Sequence, residues 1–217
     1  MILLQALPAV AQNNATGISL LDLLSKGGII MIPILILSLI SIYIFVDKYM
    51  SIYKASKVER DFAHRISLEL KQNRTSEANR ICRNNNAMGV IFENGILMYG
   101  KPIRDVEAMM ETTANVEIAK MERNVSYLGI IASVAPILGF IGTISGVIAI
   151  FYNISLTDNV SIGGIADGLY QKMISSGTGL FVGVIAYSCY HVLQMRIDKF
   201  TQRLQEEELI FIKSMQE

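Results

Sequence analysis

Three long stretches without charge constrain this chain most. No Asp, Glu, Lys or Arg occurs in residues 27–46, 124–157 or 173–195. About 20 apolar residues cross the hydrocarbon core of a bilayer as a helix, so each stretch is long enough for one span. A buried soluble core explains three such gaps poorly, although 217 residues would suffice for a soluble domain. The sequence therefore predicts an all-α membrane protein with three transmembrane helices.

The basic residues predict how the chain is oriented. Of the 19 Lys and Arg residues, 13 lie in residues 47–126 and four in residues 196–217. The N-terminal segment has only Lys26, and the link between the second and third spans has only Lys172. Because basic residues accumulate on the cytoplasmic side, the N-terminus is predicted outside, with residues 47–126 and the C-terminus in the cytoplasm. The basic residues alternate with acids, which argues against a nucleic-acid partner.

The first residues allow two interpretations. The run "MILLQALPAVAQ" contains Ala9-Val10-Ala11, which resembles a signal-peptidase site, but it lacks the usual basic region. If this site is not cleaved, residues 1–16 are expected to form a loose external arm. Residues 17–28 have the pattern of a short helix lying on the outer surface, with Ser19 and Asp22 at capping-box spacing.

The pattern divides the rest of the chain into membrane and cytoplasmic parts. A helix starting at Pro102 is expected to run without interruption into the second span. The third span is expected to continue into the cytoplasm, because apolar residues recur there every three or four positions. The predicted segments are an external arm with interfacial helix (1–28), first span (29–47), cytoplasmic helical segment (48–124), second span (125–153), external loop (154–172), third span (173–195) and cytoplasmic C-terminal helix (196–217). The result is an elongated bundle with two long helices that extend into the cytoplasm.

Small residues form a stripe on each of the last two spans. Such residues let helix backbones approach closely in lipid, where water expulsion no longer drives association. The stripes favour direct packing of the two helices, while a water-lined pore between several copies stays open as an alternative. The residues predicted to pack the helices are Ala135, Pro136, Gly139, Gly142, Gly146, Gly179 and Gly183.

Hydroxyl groups accompany both stripes. Thr143 and Ser145 lie in the second span, and Ser175, Ser176 and Thr178 lie in the third. A single membrane hydroxyl usually bonds the carbonyl one turn back. Two groups of hydroxyls on adjacent glycine-rich helices suggest a polar lining instead.

None of the three charge-free stretches offers a carboxylate. Proton relays across membranes usually depend on Asp, Glu or His, so a second chain would have to supply the titrating group. His191 lies near the inner end of the third span, where an interfacial role is favoured over a relay. Cys82 and Cys189 are expected to be reduced thiols.

Two segments resemble a known family. "YLGIIASVAPILGFIGTISGVIAIF" (127–151) and "GLYQKMISSGTGLFVGVIAYSCYHVL" (168–193) are similar to the second and third spans of the ExbB/TolQ/MotA proton-channel family, most of all its ExbB-like members. The resemblance implies a multi-pass protein of the bacterial inner membrane. It implies a homo-oligomer, a pentamer, around a single-span ExbD/TolR-like partner whose membrane Asp carries protons. The work would pass to TonB- or TolA-like proteins that act on the outer membrane.

The resemblance also assigns a proton pathway. Thr143 matches the pore-facing threonine of the second span, and Ser176 stands where many members have a threonine in the third. Thr178 is a nearby substitute for Ser176. Gln171 stands where several relatives have a glutamate, which removes a titrating group at the outer mouth.

Other functions remain alternatives to this one. A flagellar stator subunit of the MotA type has four spans, whereas this chain has three. A gliding-type stator or a passive scaffold held by small-residue packing are further alternatives. An intramembrane enzyme is not favoured, because no G-x-S-x-G or H-E-x-x-H motif and no pair of membrane aspartates occurs. No catalytic residue, cofactor or metal site is expected.

Overall fold

Seven helices make up the described part of the chain. The computed structural model describes residues 28–59, 61–157 and 161–216. The predicted external arm and nearly all of the interfacial helix therefore lie outside the described residues. The helices are α1 (Met31–Ala55), α2 (Phe62–Lys71), α3 (Thr75–Arg83), α4 (Asn86–Leu97), α5 (Ile103–Glu122), α6 (Val125–Thr157) and α7 (Ile162–Gln216).

Three of these helices are long and apolar enough to cross a membrane: α1, α6 and α7. No strand occurs within the described ranges. These observations confirm the predicted all-helical membrane class with three candidate spans. The longest helix, α7, has 55 residues and is about 80 Å long at 1.5 Å per residue.

The N-terminal part of α7 packs against α6 and α1. Ile34 of α1 is fully buried where it meets Ile131 and Ala135 of α6 and Val182 and Ala186 of α7. The three apolar helices thus form one compact bundle within a single chain.

The C-terminal part of α7 passes through a second core, formed with the short helices. The rings of Phe62, Phe92 and Phe211 meet edge to face, with centroids 5.0 Å and 5.3 Å apart. The pattern predicted for the continuation of the third span is confirmed, since Ile197 and Phe200 are buried on the same side of α7. The polar half of the chain therefore folds around the end of its longest helix.

A buried carboxylate joins α7 to the start of α2. The backbone N–H of Ala63 donates to Oε2 of Glu207, at 2.8 Å. The first N–H groups of a helix have no partner within it, so a carboxylate from another helix can cap them. Ser214 of α7 also donates to Oγ of Ser67 on α2, at 2.7 Å. These bonds fix how α2 lies against α7.

The predicted uninterrupted helix from Pro102 into the second span is wrong. Helix α5 ends at Glu122 and α6 begins at Val125. Between them Asn124 has a φ of 70°, a left-handed conformation that asparagine tolerates better than most residues. Because no glycine or proline marks this position, the sequence pattern gave no sign of the break.

The predicted external loop, 154–172, is mostly helical. Helix α6 continues to Thr157, and α7 already begins at Ile162. Ser161 caps the start of α7, since its Oγ accepts from the N–H of Gly164 at 3.3 Å and its carbonyl accepts from Ile165. This cap favours a helix where the sequence pattern predicts a loop.

Both cysteines are free thiols. Cys82 is buried in the core formed by the short helices and the end of α7, and burial together with the charge of Glu93 raises its pKa to about 12. A thiol that stays protonated at neutral pH is a poor nucleophile, so Cys82 has a packing role.

Candidate functional site

Glycines bring the backbones of α6 and α7 together. A Cβ added at Gly139 would lie 3.0 Å from Cα of Ser176 and 3.1 Å from its carbonyl oxygen. One added at Gly179 would lie 2.6 Å from the carbonyl oxygen of Ala135. Real Cβ atoms essentially never lie 2.6 Å from backbone, and contacts of 3.0–3.1 Å are tighter than nearly all real ones. The two helices therefore touch through main chain at these positions.

The remaining predicted packing residues extend the same contact. A Cβ at Gly183 would lie 2.5 Å from Cγ of Pro136. At Gly146 the aliphatic stem of Lys172 occupies the space that a Cβ would need. At Gly142 the added atom would meet Oγ of Ser175 at 2.8 Å. All seven residues of the predicted set thus lie in the contact between α6 and α7.

Most hydroxyls of the two helices bond their own backbone. Thr143 donates to the carbonyl of Phe140 at 2.7 Å, and Ser145 donates to the carbonyl of Gly142 at 3.1 Å. The same arrangement holds on α7, where Ser175 donates to Lys172 at 2.8 Å and Thr178 donates to Ile174 at 2.9 Å. These four groups are satisfied within one helical turn.

Ser176 differs from the other four hydroxyls. It is half-buried, and no hydrogen bond links its side chain to any other described residue. Its backbone contacts Gly139, which lies one turn before Thr143. The structure therefore places Ser176 and Thr143 close to each other on neighbouring helices.

The position of α1 shows which way these two residues face. Gly142 and Ser175 meet on the side that α1 covers, because a Cβ at Gly142 would also lie 3.5 Å from Cγ2 of Ile30, just before α1. Thr143 and Ser176 each follow one residue later, a rotation of about 100°. They lie on the side away from α1, and we call this side, with Thr143 on α6 and Ser176, Leu180 and Tyr187 on α7, the open face.

Thr178 does not belong to the open face. It lies two residues after Ser176, a rotation of about 200° that turns it away from that face. Its hydroxyl bonds its own helical turn, as that of Thr143 does, so position alone separates the two threonines. The sequence suggested Thr178 as a substitute for Ser176, but the geometry brings only Ser176 next to Thr143. What distinguishes the open face from the covered side of the α6–α7 pair is the position of α1. Residue spacing along α7 alone does not give that position.

Among the described residues, charged side chains accompany the α6–α7 contact at the end where α6 stops and α7 begins. Asp167, on the first turns of α7, accepts a hydrogen bond from Nε2 of Gln171 at 3.3 Å. Lys172 lies across Gly146, and no carboxylate of the described residues pairs with it. Lys172 enters the sequence prediction only through the orientation of the chain, and Asp167 has no predicted role, because residues 154–172 are predicted to form a loop.

A family model matches this region of the chain. The MotA/TolQ/ExbB proton channel family matches residues 83–206, more than half of the chain. The match includes the whole of α6 and the part of α7 that packs against it.

Individual relatives agree with the family match. An ExbB-like biopolymer transport protein of Synechocystis sp. is 27% identical over 205 residues, which cover 88% of this chain and 79% of the relative. The Tol-Pal system protein TolQ of Haemophilus influenzae is 29% identical over 100 residues, 46% of this chain and 44% of TolQ. An ExbB homologue of Methanothermobacter thermautotrophicus is 27% identical over 185 residues, 83% of this chain and 64% of the relative. The chain thus spans less than two thirds of the length of two of these three relatives.

These findings confirm the resemblance inferred from the two membrane motifs. Family membership and the three apolar helices also confirm the predicted location in the inner membrane of a bacterium. The chain belongs to the MotA/TolQ/ExbB proton channel family.

Proposed function

We propose that this chain is the membrane subunit of a motor driven by the proton gradient. With an ExbD/TolR-like partner, whose single span carries an aspartate, it powers a TonB- or TolA-type process at the outer membrane. The family match supports the proton channel, and relatives named for biopolymer transport support the coupling to transport. A relative named for the Tol-Pal system supports the TolA-type alternative.

One observation carries the proposal: the unpaired hydroxyl of Ser176 next to Thr143 on the open face. Several copies, five by resemblance to the family, would close their open faces around the partner's span. The partner's aspartate would then face hydroxyls that can order water but cannot hold a proton, because serine and threonine do not titrate near neutral pH. The proton-carrying group comes from the partner and the polar path from this chain, with Thr178 bonded to its own turn.

The small-residue stripes have a separate role in this proposal. Their glycines pack α6 against α7 within one chain, so the pair acts as a stiff wall that holds Thr143 and Ser176 in place. Both interpretations of the stripes therefore contribute, since packing uses the glycines and the path uses the hydroxyls beside them.

The proposed orientation places the N-terminus outside and α2–α5 in the cytoplasm. The basic residues of the segment 47–126 support it. Residues 31–47 of α1, 125–153 of α6 and 173–195 of α7 then lie in the bilayer. The C-terminal third of α7 and the short helices form the cytoplasmic part.

Substitutions that remove one hydroxyl at a time test this function. Thr143→Val keeps the shape and removes the polar group, so we expect normal assembly with the partner and a loss of proton-driven transport. Ser176→Ala should show a similar loss, whereas Thr143→Ser should retain much of the activity. Thr178→Val is the matched control, and it should cost only about 1 kcal/mol of stability, because it loses a bond within its own turn.

The measurement is proton flux into liposomes that contain the complex. The chain alone should dissipate a pH gradient no faster than empty vesicles, since it has no membrane carboxylate. Full activity of Thr143→Val and Ser176→Ala would return both hydroxyls to a packing role and would contradict the proposed path. Rapid flux through the chain alone would contradict the need for a partner.

A further inference from the structure

An aromatic cluster holds a histidine at the inner end of the open face. The imidazole of His191 is exposed, and its ring centroid lies 4.3 Å from that of Tyr187 and 5.3 Å from that of Tyr190. Both ring pairs are close to perpendicular, at 66° and 75°. Perpendicular pairs at these distances are a favourable geometry for aromatic rings, so the imidazole has a defined position on α7.

The cluster is aligned with Ser176. Tyr187 follows Ser176 by 11 residues, which places it within roughly 20° of the same side of α7. His191 follows by 15 residues, about 60° around the helix and on the order of 22 Å further along it. One side of α7 therefore carries a hydroxyl in the outer part of its proposed membrane span and an imidazole at the inner end.

Among the described residues, no charged side chain pairs with this imidazole. The charged residues closest to the start of α6, Glu122 and Arg123, precede that helix and are exposed. Helix α6 has no charged side chain in its described span, and beside the cluster it presents Gly129, where an added Cβ would lie 3.7 Å from the ring of Tyr190. The titratable residue of α6 that is nearest to Gly129 in the sequence is Tyr127. Arg196 is bound elsewhere, because it donates to Tyr49 on α1 at 2.7 Å and stacks over that ring at 4.3 Å.

The inner end of α1 also carries Tyr43, Asp47, Lys48 and Tyr53, of which Lys48 is buried. Helix α1 packs on the side of α7 opposite the open face, so these groups lie away from His191. On α7 itself the next acid on the same side is Asp198, two turns further into the cytoplasmic part and exposed.

We propose that His191 is the group that releases protons from the channel to the cytoplasm. The proposal rests on the proposed function, because it needs a hydrated path on the open face. A proton arriving along that path bonds to the free ring nitrogen of neutral imidazole and gives imidazolium. Imidazolium then gives a proton to a cytoplasmic water, which restores the neutral ring, and the protein is unchanged after each cycle.

The chemistry of the side chains on the open face singles out histidine. Serine, threonine and tyrosine hydroxyls do not change charge near neutral pH, whereas imidazole is the side chain that ordinarily does so between pH 5 and 8. A group that exchanges protons efficiently with water near neutral pH must titrate there. His191 is the one residue of this kind on α7.

Proton flux through the complex with its partner tests the assignment. His191→Gln keeps a polar side chain but cannot titrate, so we expect flux at neutral pH to fall about tenfold. The flux of the wild type should vary with internal pH through one ionisation between pH 5 and 8, and this dependence should vanish in the variant. His64→Gln is the matched control, since His64 is the other histidine of the chain and lies on α2, away from the open face. The complex with His64→Gln should have the same flux and pH profile as the wild type.

Direct titration keeps the assignment testable if His191→Gln fails to assemble. In the His64→Gln variant one imidazole remains, and NMR of labelled histidine should show it titrating with the internal pH. An imidazole that does not titrate, or wild-type flux and pH profile in His191→Gln, would overturn the assignment and leave His191 as an interfacial anchor. A wild-type complex that conducts no protons at all would contradict the proposed function instead.

Discussion

In the proposed orientation the chain has a membrane half, formed by α1, α6 and the first part of α7, and a cytoplasmic half, formed by α2–α5 and the end of α7. The two halves are held together differently. In the membrane half, α6 and α7 meet through backbone at glycines, and large apolar side chains such as Phe140 and Phe181 point outward. In the cytoplasmic half the order is reversed, since Phe62, Phe92 and Phe211 are fully buried among the helices. One long helix, α7, takes part in both arrangements.

The difference follows from the solvent around each half. In water, burying apolar side chains drives association, so the cytoplasmic core is built from the largest of them. In lipid, an outward phenylalanine is as well solvated as a buried one, so close backbone approach supplies the contact. The two halves should therefore respond in opposite ways to changes in side-chain volume.

The largest effect is expected when volume is removed from the cytoplasmic core. Phe92→Ala should lower the free energy of unfolding of this half by about 3–5 kcal/mol, because the cavity lies between two other rings. Hydrogen exchange of the amides in α2–α5 measures the loss. Phe151→Ala on α6 is the control, since Phe151 is 65% exposed, and an equal loss in both variants would break the comparison.

Adding volume should harm the membrane half. Gly179→Ala places a methyl group 2.6 Å from the backbone carbonyl of Ala135, which cannot move aside, so the expected loss is about 1–3 kcal/mol. Gly177 on the same helix has nothing within 4 Å of an added Cβ. Gly177→Ala should therefore be neutral or stabilising by up to about 1 kcal/mol through helix propensity.

Thermal unfolding of the two alanine variants in the same detergent separates the effects. A loss for Gly179→Ala alone supports packing through backbone. Equal changes in both variants would mean that helix propensity, and not close approach, decides the role of these glycines.

A smaller effect on stability is expected at Glu208, a partly buried carboxylate within the cytoplasmic half. Between α5 and α7 lies a groove of about 560 Å³ with Glu107, Glu111 and Glu208 in its wall. Burial of Glu208, together with the charge of Glu111, raises the pKa of Glu208 from 4.5 to about 7. One oxygen of this carboxylate is buried and has no hydrogen-bond partner in the part of the chain that the structure describes, so the charged form is poorly accommodated.

The sign of the pH dependence follows from this shift. Because the pKa is higher in the folded state, the folded chain binds the proton more tightly, and stability falls as the pH rises from about 4.5 through 7. Glu208→Gln should be more stable than the wild type at pH 8 by about 1 kcal/mol, after allowance for solvent screening, and equal to it near pH 4. Unfolding measurements at pH 8 and pH 4 check this, with Glu206→Gln as an exposed control. If the difference in stability between Glu208→Gln and the wild type were the same at both pH values, the prediction would be contradicted.

Much of the fold could be read from residues taken one at a time. Three charge-free stretches predicted the three apolar helices, and the spacing of Ile197, Phe200 and Leu204 predicted that α7 continues beyond the membrane. Both features depend on how a residue partitions between water and an apolar phase, which does not require knowledge of its neighbours. The glycines of the α6–α7 contact were found for the same reason, since small residues in a membrane helix have few other uses.

Other features depended on neighbours and were missed. The break at Asn124 arises from one backbone conformation that no pattern marks, and the early start of α7 depends on the cap at Ser161. The lysine that fills the space above Gly146 could be recognised only when both helices were in place. In each case the structure depends on one backbone conformation, one cap or one contact between helices, and no pattern along the sequence indicates it.

The sequence by itself determined the membrane class of this protein, the identity of its two motif helices and the absence of a carboxylate within their charge-free stretches. Tertiary structure decided which hydroxyls face the same way. Thr178 and Ser176 both carry a hydroxyl and stand two positions apart in the sequence. Only Ser176, however, lies beside Thr143 on the open face. That choice depends on where α1 packs, and the packing of a third helix is a property of the whole bundle that no spacing along α7 encodes.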